Sequence, residues 1–271
     1  MNKIIQKVLL FGALYALIEN TAMLRVRHEN LGGDIKVAHI SDLHKRSFGH
    51  NNSRICRKIE REAPDIILIT GDLVSRDSKN FDIASKTLEQ LCRIAPVYMI
   101  LGNHEKSIHR DNISAFKEVI RKSGAILLKN DCVNLNIKGR KIKLYGLSEK
   151  YSTYKKNNGY RDLDKLTAED LEKNMGKCPD KKVGNEQIWL MAHNPLFGEE
   201  YAEWGADYTF SGHVHGGVVR ILGKGILSPE RKFFPKYSKG VYTISKMKLF
   251  VSGGLGKLRV FNPPEFVIYY M

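Results

Sequence analysis

The amino-acid sequence predicts an α/β fold in which two β-sheets stack on each other and helices cover them outside. Three observations predict it. The first half alternates continuous apolar runs with amphipathic stretches, the pattern of βαβ units whose strands are buried on both faces. From Ala125 onward the runs become shorter and more closely spaced, as in a strand-rich second layer. No internal repeat or low-complexity tract breaks this order, and 271 residues with 42% hydrophobic content can bury one large core or two modest ones.

Taken in order, the chain opens with Lys3 and Lys7 around and before an apolar run over residues 8–18. This shape predicts a single-pass N-terminal membrane anchor and hence a membrane-associated protein, with a cleaved signal or a docked amphipathic helix as the other readings. Glu19 and Asn20 are costly at a bilayer centre and less so near its interface. Arg25 and Arg27 balance the leading lysines, so charge does not choose a membrane face. Residues 1–29 are read as anchor and linker, with a short polar linker over 28–34, and residues 30–271 as one folded domain.

The first strand is expected over 35–40 and a helix over 52–62, where Ile55 and Ile59 are four apart. Residues 65–70 form a continuous apolar run, 78–94 an amphipathic helix, and 97–101 the next buried strand. A helix over 113–121 closes at Gly124. Strands follow at 126–128, 132–137 and 142–147, the last two joined at Gly139 as a hairpin. Residues 149–187 read as a polar insertion over an active-site edge or a surface excursion, with a short helix starting at a capping-box pattern, Thr167 to Asp170. Further strands are expected at 188–192, 207–210, 218–222, 240–244, 248–252 and 266–270.

Lys and Arg number 44 against 29 Asp and Glu, a net charge of +15, which suits either an anionic partner or a lysine-rich solvated surface. No arginine-rich tract or nucleic-acid module accompanies the charge, so nucleic acid is not the expected partner. Cys56, Cys92, Cys132 and Cys178 are widely spaced without a Cys-x-x-Cys pair, which excludes a zinc knuckle and a dense disulfide framework. Cys56 and Cys92 fall among apolar helical positions, as core packing.

Chemistry concentrates in five short clusters, each directly after an apolar run: Asp42-Leu43-His44, Gly71-Asp72, Gly102-Asn103-His104, Ala192-His193-Asn194 and Gly212-His213-Val214-His215. Loops at the carboxyl ends of strands converge in space although they are distant in sequence. Carboxylate, amide and imidazole donors without thiolate suit divalent ions such as Mn²⁺, Fe²⁺ or Zn²⁺. Asp42, His44, Asp72, Asn103, His193, His213 and His215 are too many for one tetrahedral ion and fit two ions that share a carboxylate. His39 reads as a core or supporting histidine, His28, His50 and His109 as surface groups, and Glu105 has no ligand role. Asn194 reads equally as a hydrogen-bond donor behind the site and as an ordinary Asn-Pro turn.

The five clusters in this order resemble the calcineurin-like metallophosphoesterases. The likeness extends to residues 216–220, 234–242, 252–256 and 259–265. It is greatest to the membrane-associated bacterial branch that includes relatives of the UDP-2,3-diacylglucosamine hydrolases. The resemblance implies a four-layer αββα sandwich, here preceded by an N-terminal hydrophobic helix, and a phosphoester hydrolase. It implies that Asp42, His44 and His215 hold a first divalent ion, that Asn103, His193 and His213 hold a second, and that Asp72 bridges them. Such a pair acidifies a bridging water and clamps phosphoryl oxygens for in-line displacement. His104 would protonate or stabilise the leaving group. The implied substrate is a phosphodiester or pyrophosphate, lipid-linked as in UDP-2,3-diacylglucosamine; the alternative is a soluble nucleotide or phosphoprotein. A scaffold that binds metal without hydrolysis is the remaining reading, against which the complete ligand set speaks. One departure is Ser252-Gly253-Gly254, where relatives commonly carry Ser-Arg-Gly, which removes a cation.

Overall fold

Period-two alternation in the strands decides the layers. Val37, Ile66, Leu68 and Tyr269 point into one core with Leu144, Trp189, Met191, Phe210 and Phe250, while Ala38, Ile40, Ile67, Ile69 and Ile268 point into another beneath helices. The computed structural model describes residues 3–157, 159–179, 186–228, 231–257 and 259–271.

The chain begins with helix α1 (Lys3–Thr21) and strand β1 (Arg25–Asn30). The first βαβ units follow: β2 (Lys36–Ile40), α2 (Ser53–Glu62), β3 (Ile66–Ile69), α3 (Asp82–Ile94) and β4 (Val97–Met99). Next come α4 (Asn103–Lys106), α5 (Arg110–Ser123), β5 (Ile126–Leu127), and the hairpin β6 (Asp131–Ile137) and β7 (Arg140–Gly146). The second half comprises α6 (Ala168–Met175), β8 (Gln187–Met191), α7 (Gly198–Trp204) and β9 (Tyr208–Ser211). It ends with β10 (Arg220–Ile221), β11 (Lys224–Gly225), β12 (Gly240–Ile244), β13 (Met247–Val251) and β14 (Glu265–Tyr270).

One six-stranded sheet runs β1-β14-β2-β3-β4-β5 and the other β12-β13-β9-β8-β7-β6. Helices α2, α3 and α5 cover the first sheet, and α6 and α7 pack on the second, giving the expected αββα order. Helix stops follow local chemistry: α5 ends at Gly124 with φ 87°, and the Gly139 turn has φ 80°. Thr167 and Asp170 cap α6 reciprocally, as their spacing predicts. Cys56 is buried under α2, Cys92 is packed partly buried against the same core, and all four cysteines are free.

Two expectations at the N-terminus are corrected. The apolar run belongs to α1, and among the described residues no helix is long and apolar enough to cross a membrane. The single-pass anchor, and the membrane association drawn from it, fall with that finding. Glu19 and Asn20 interrupt the run and are turned toward protein: Glu19 is fully buried, and Asn20 Nδ2 donates to the Arg259 carbonyl at 2.7 Å. The supposed linker over 28–34 starts inside β1, which pairs in parallel with β14 from Arg25–Glu265 to Asn30–Tyr270. As a polar edge strand, Arg-Val-Arg-His-Glu-Asn carries no apolar run by which it could be read.

Candidate metal centre

All seven predicted ligands meet at the carboxyl ends of five parallel strands. Asp42 and His44 follow β2, Asp72 follows β3, Asn103 opens α4 after β4, His193 follows β8, and His213 and His215 follow β9. The site therefore straddles both sheets at one end of the sandwich. Five of the seven sit in the left-handed region that side chains normally avoid: Asp42 and His44 at φ 53°, Asp72 and His215 at 55°, His213 at 66°. Such strain is tolerated where the surroundings hold it, and it clusters at functional sites. Glycine makes the close approach possible. A Cβ on Gly71 would lie 2.5 Å from the Gly102 nitrogen and 2.9 Å from His193 Nδ1, so no side chain fits between these loops.

The donor atoms converge. Asp42, His44 and His215 form one group whose ligand atoms lie within 4.8 Å of one another, and Asp72, His193 and His213 form a second. His44 Nε2 and His215 Nε2 face each other at 3.3 Å, His193 Nε2 is 3.1 Å from Asn103 Oδ1, and it is 3.4 Å from Asp72 Oδ2. Ligands about 2.1 Å from a common ion stand about 3.0–3.4 Å apart, so these spacings fit divalent cations. Asp72 also groups with His44 and His104, on the first side, so its carboxylate stands between both sets.

Groups behind the ligands fix their orientation. Thr70 O accepts from His193 Nδ1 at 2.6 Å, which leaves Nε2 to face the centre. His213 N donates to both oxygens of Asp42 at 3.1 Å. Burial pushes the His193 imidazole down, but the Asp72 carboxylate, then Asp42 and Glu149, outweigh it and hold the group up at about 10. Burial likewise pushes Asp72 up, and His193 pulls it well below the ordinary carboxylate range. A pocket this negative, lined by donors that face one another, suits positive charge at its centre.

Three residues the sequence did not mark support the site. Glu105, given no ligand role, is a buried strap: it accepts from Asp72 N at 2.8 Å, Gly102 N at 2.9 Å and Val74 N at 3.0 Å. Burial, then the nearby Asp72, pushes its carboxyl up to about 8. Glu149 does the same for the His193 loop, accepting from His193 N at 2.9 Å and from Lys106 Nζ at 3.0 Å. Arg76 Nη2 donates to His104 Nε2 at 2.9 Å, and burial holds that imidazole down to about 4 despite Asp72. The His104 ring lies 4.4 Å from that of His44. A basic residue four positions past Asp72 was the available signal for Arg76; Glu149 offered none.

The remaining expectations divide. His39 is a core histidine, its Nε2 2.8 Å from Thr70 Oγ1, and Asn194 is an ordinary cap whose Oδ1 accepts from Leu196 N at 3.0 Å. His28, His50 and His109 lie at the surface. The insertion borders the site: Tyr151, Tyr154, Lys155 and Tyr160 line its mouth with Arg76 and His104. At Gly253 the missing cation has a counterpart: Lys239 Nζ lies 3.2 Å from where a Cβ would stand, and Lys239 and Arg27 both pair with buried Glu265.

The sequence profile of the family Calcineurin-like phosphoesterase matches residues 35–217, more than half of the chain. The chain is a calcineurin-like phosphoesterase. As members of this family use a dinuclear divalent metal centre, the enzyme is a metal-dependent phosphoester hydrolase. It is 29% identical over 244 residues to an uncharacterized metallophosphoesterase of Aquifex aeolicus, covering 88% of this chain and 85% of the relative. It is 26% identical over 231 residues to Phosphodiesterase YaeI of Escherichia coli, covering 82% and 76%. Among solved structures, phosphopantetheinyl hydrolase PptH of Mycobacterium tuberculosis aligns with TM-score 0.50 at 13% identity, covering 83% of this chain and 91% of that one. Sulfate thiohydrolase SoxB of Thermus thermophilus aligns at 0.51 and 12%, covering 82% and 52%. These likenesses show the shared fold.

Proposed function

We propose that this phosphoesterase hydrolyses a phosphodiester or pyrophosphate bond, with Asp42, His44 and His215 holding one divalent ion, Asn103, His193 and His213 the other, and Asp72 both. The observation that carries the reading is the position of Asp72, whose carboxylate belongs to donor groups on both sides of the pocket. When bound, the two ions would acidify a shared water and neutralise charge on the phosphoryl oxygens.

The chain's own residues supply the rest. Thr70 and Glu149 keep the His193 loop in one orientation, and Glu105 locks the Asp72 and Asn103 loops together. His104 stands at the leaving-group side, where it would stabilise the departing oxygen, and Arg76, which donates to its Nε2, meets the charge that develops there. A cleft of about 460 Å³ opens beside His44 over Leu43, Leu73, Val74 and Ala84, room for an organic substituent on the phosphate. That cleft, and the name of the Escherichia coli relative, favour a diester. The finer reading, a lipid-linked substrate such as UDP-2,3-diacylglucosamine, rests on the resemblance of the C-terminal segments.

The test is turnover of the full chain reconstituted with Mn²⁺ on bis-p-nitrophenyl phosphate, p-nitrophenyl phosphate and a UDP-linked diacylated sugar. Metal-dependent cleavage of the diester or the pyrophosphate, absent in Asp72→Ala, is the expected result. Turnover of the monoester alone, or activity retained in Asp72→Ala, would overturn the reading.

A further inference from the structure

Helix α1 lies outside both sheets, yet its last turn is tied to the loop behind the first donor group. Asn20 Nδ2 donates to the Arg259 carbonyl at 2.7 Å, and Arg259 N donates back to Asn20 Oδ1 at 3.0 Å. Arg46 Nη2 donates to the Glu19 carbonyl at 3.0 Å. The same two arginines converge on one further acceptor, the carbonyl of Gly256, Arg46 Nη1 at 3.1 Å and Arg259 Nε at 2.6 Å. Arg259 Nη1 also donates to the His215 carbonyl at 3.2 Å.

Gly256 is where this brace touches the site. A Cβ there would stand 3.1 Å from the Asp42 carbonyl, 3.2 Å from His44 Cδ2 and 3.3 Å from His215 Cε1, so its backbone packs against all three members of the first group. Both histidines sit in loops at unfavourable φ and need an outside restraint to hold their rings. The brace is buried: Glu19, Arg46 and Arg259 are all out of solvent, and burial lowers both guanidiniums to about 10, an effect that Glu19 opposes at Arg46 and Asp42 at Arg259. Two buried arginines aimed at one backbone carbonyl cost desolvation, an expense that a mere helix contact does not require.

We propose that the last turn of α1 is a positioning element of the metal centre: through Asn20, Arg46 and Arg259 it fixes Gly256 and the His215 carbonyl, and so sets the separation of the His44 and His215 imidazoles. This rests on the ligand assignment proposed above. Helix α1 is then part of the hydrolase, and ion affinity at Asp42, His44 and His215 depends on residues at the chain's start.

The experiment titrates Mn²⁺ into the metal-free full chain by calorimetry and follows the spin coupling of the ion pair by electron paramagnetic resonance. Asn20→Ala should weaken one ion by about tenfold or more, as loss of a ligand-orienting partner does, and leave the other within about twofold. Its spectrum at low loading should show uncoupled Mn²⁺. Thr21→Ala is the control, because among the described residues that hydroxyl donates within its own helix, to Leu17 O at 2.7 Å. Arg259→Lys, which keeps the charge but loses the forked geometry, should weaken the same ion. Identical isotherms and spectra for Asn20→Ala and wild type would overturn the inference, as would equal weakening of both ions in step with a fall in Tm. Asp72→Ala separates the two ideas. If it keeps both ions the ligand assignment fails, whereas if it loses them while Asn20→Ala changes nothing, only the role of α1 fails.

Discussion

Replacing Glu149 by glutamine tests whether the insertion after β7 supports the centre or merely borders it. The carboxylate is buried, with one oxygen on His193 N at 2.9 Å and Asn194 N at 3.3 Å, and the other on Lys106 Nζ at 3.0 Å. Glutamine can keep the first oxygen in place but turns an NH₂ group toward the ammonium. Lys106 retains the Glu149 backbone carbonyl at 2.7 Å, so it loses its charge partner and not every acceptor. Breaking a buried pair from one side costs about 3–5 kcal/mol, and the retained bond reduces this to about 2–4 kcal/mol. A double-mutant cycle with Lys106→Met, read by urea unfolding of the metal-free chain, should give a coupling of about 2 kcal/mol at neutral pH. Burial pushes the Glu149 carboxyl up, but Lys106, then His193, pull it below its ordinary value. A carboxylate whose folded-state pKa is depressed contributes stability above its unfolded pKa, and that contribution is lost as pH falls. The gap between wild type and Glu149→Gln should therefore close in acid. A coupling under about 0.5 kcal/mol, or a gap that widens as pH falls, would refute the reasoning.

Other outcomes follow from the same contacts. His104→Ala should lower turnover by about 10²-fold or more while two ions stay bound, so metal analysis showing a lost ion would make His104 a ligand. Arg76→Ala should cut kcat by about 10²-fold with metal content unchanged, and Arg76→Lys should restore little, since one ammonium cannot reproduce the guanidinium fork; full rescue by lysine would contradict this. Burial, then Arg27, holds His39 down to about 3, so the unfolded chain takes up a proton near pH 6.5 that the folded chain refuses. Its contribution is present above that pH and falls by about 1.4 kcal/mol per unit below it. His39→Gln should flatten the acid limb of the stability profile, and an unchanged slope would show that His39 is not buried neutral.

The sequence announces most of this molecule because its buried strands are continuous apolar runs and its ligands follow them immediately. Residues 65–70 had to be a strand buried on both faces, and the next charged residue, Asp72, had to stand at its carboxyl end. What stayed illegible was long-range. Glu149 meets His193 only after the second sheet forms, and Glu105 meets Asp72 only when two loops close. Edge strand β1 carries a single apolar residue, Val26, and nothing in its pattern separates it from a linker. The apolar start misled for a related reason. Hydropathy counts Glu19 and Asn20 as breaks in a span, whereas the fold turns them inward against Arg46 and Arg259. At Gly253 a lost arginine looked like a lost charge, but Lys239 and Arg27 reach the same buried Glu265 from other elements.

Metal stoichiometry of the full chain, beside Asp72→Ala, bears most directly on the central claim. Dialysis against Mn²⁺ followed by elemental analysis should find two ions per wild-type chain and no tightly held pair in Asp72→Ala, because one carboxylate serves both donor groups. One ion in wild type, or two tight ions surviving in Asp72→Ala, would contradict a centre built around a shared Asp72.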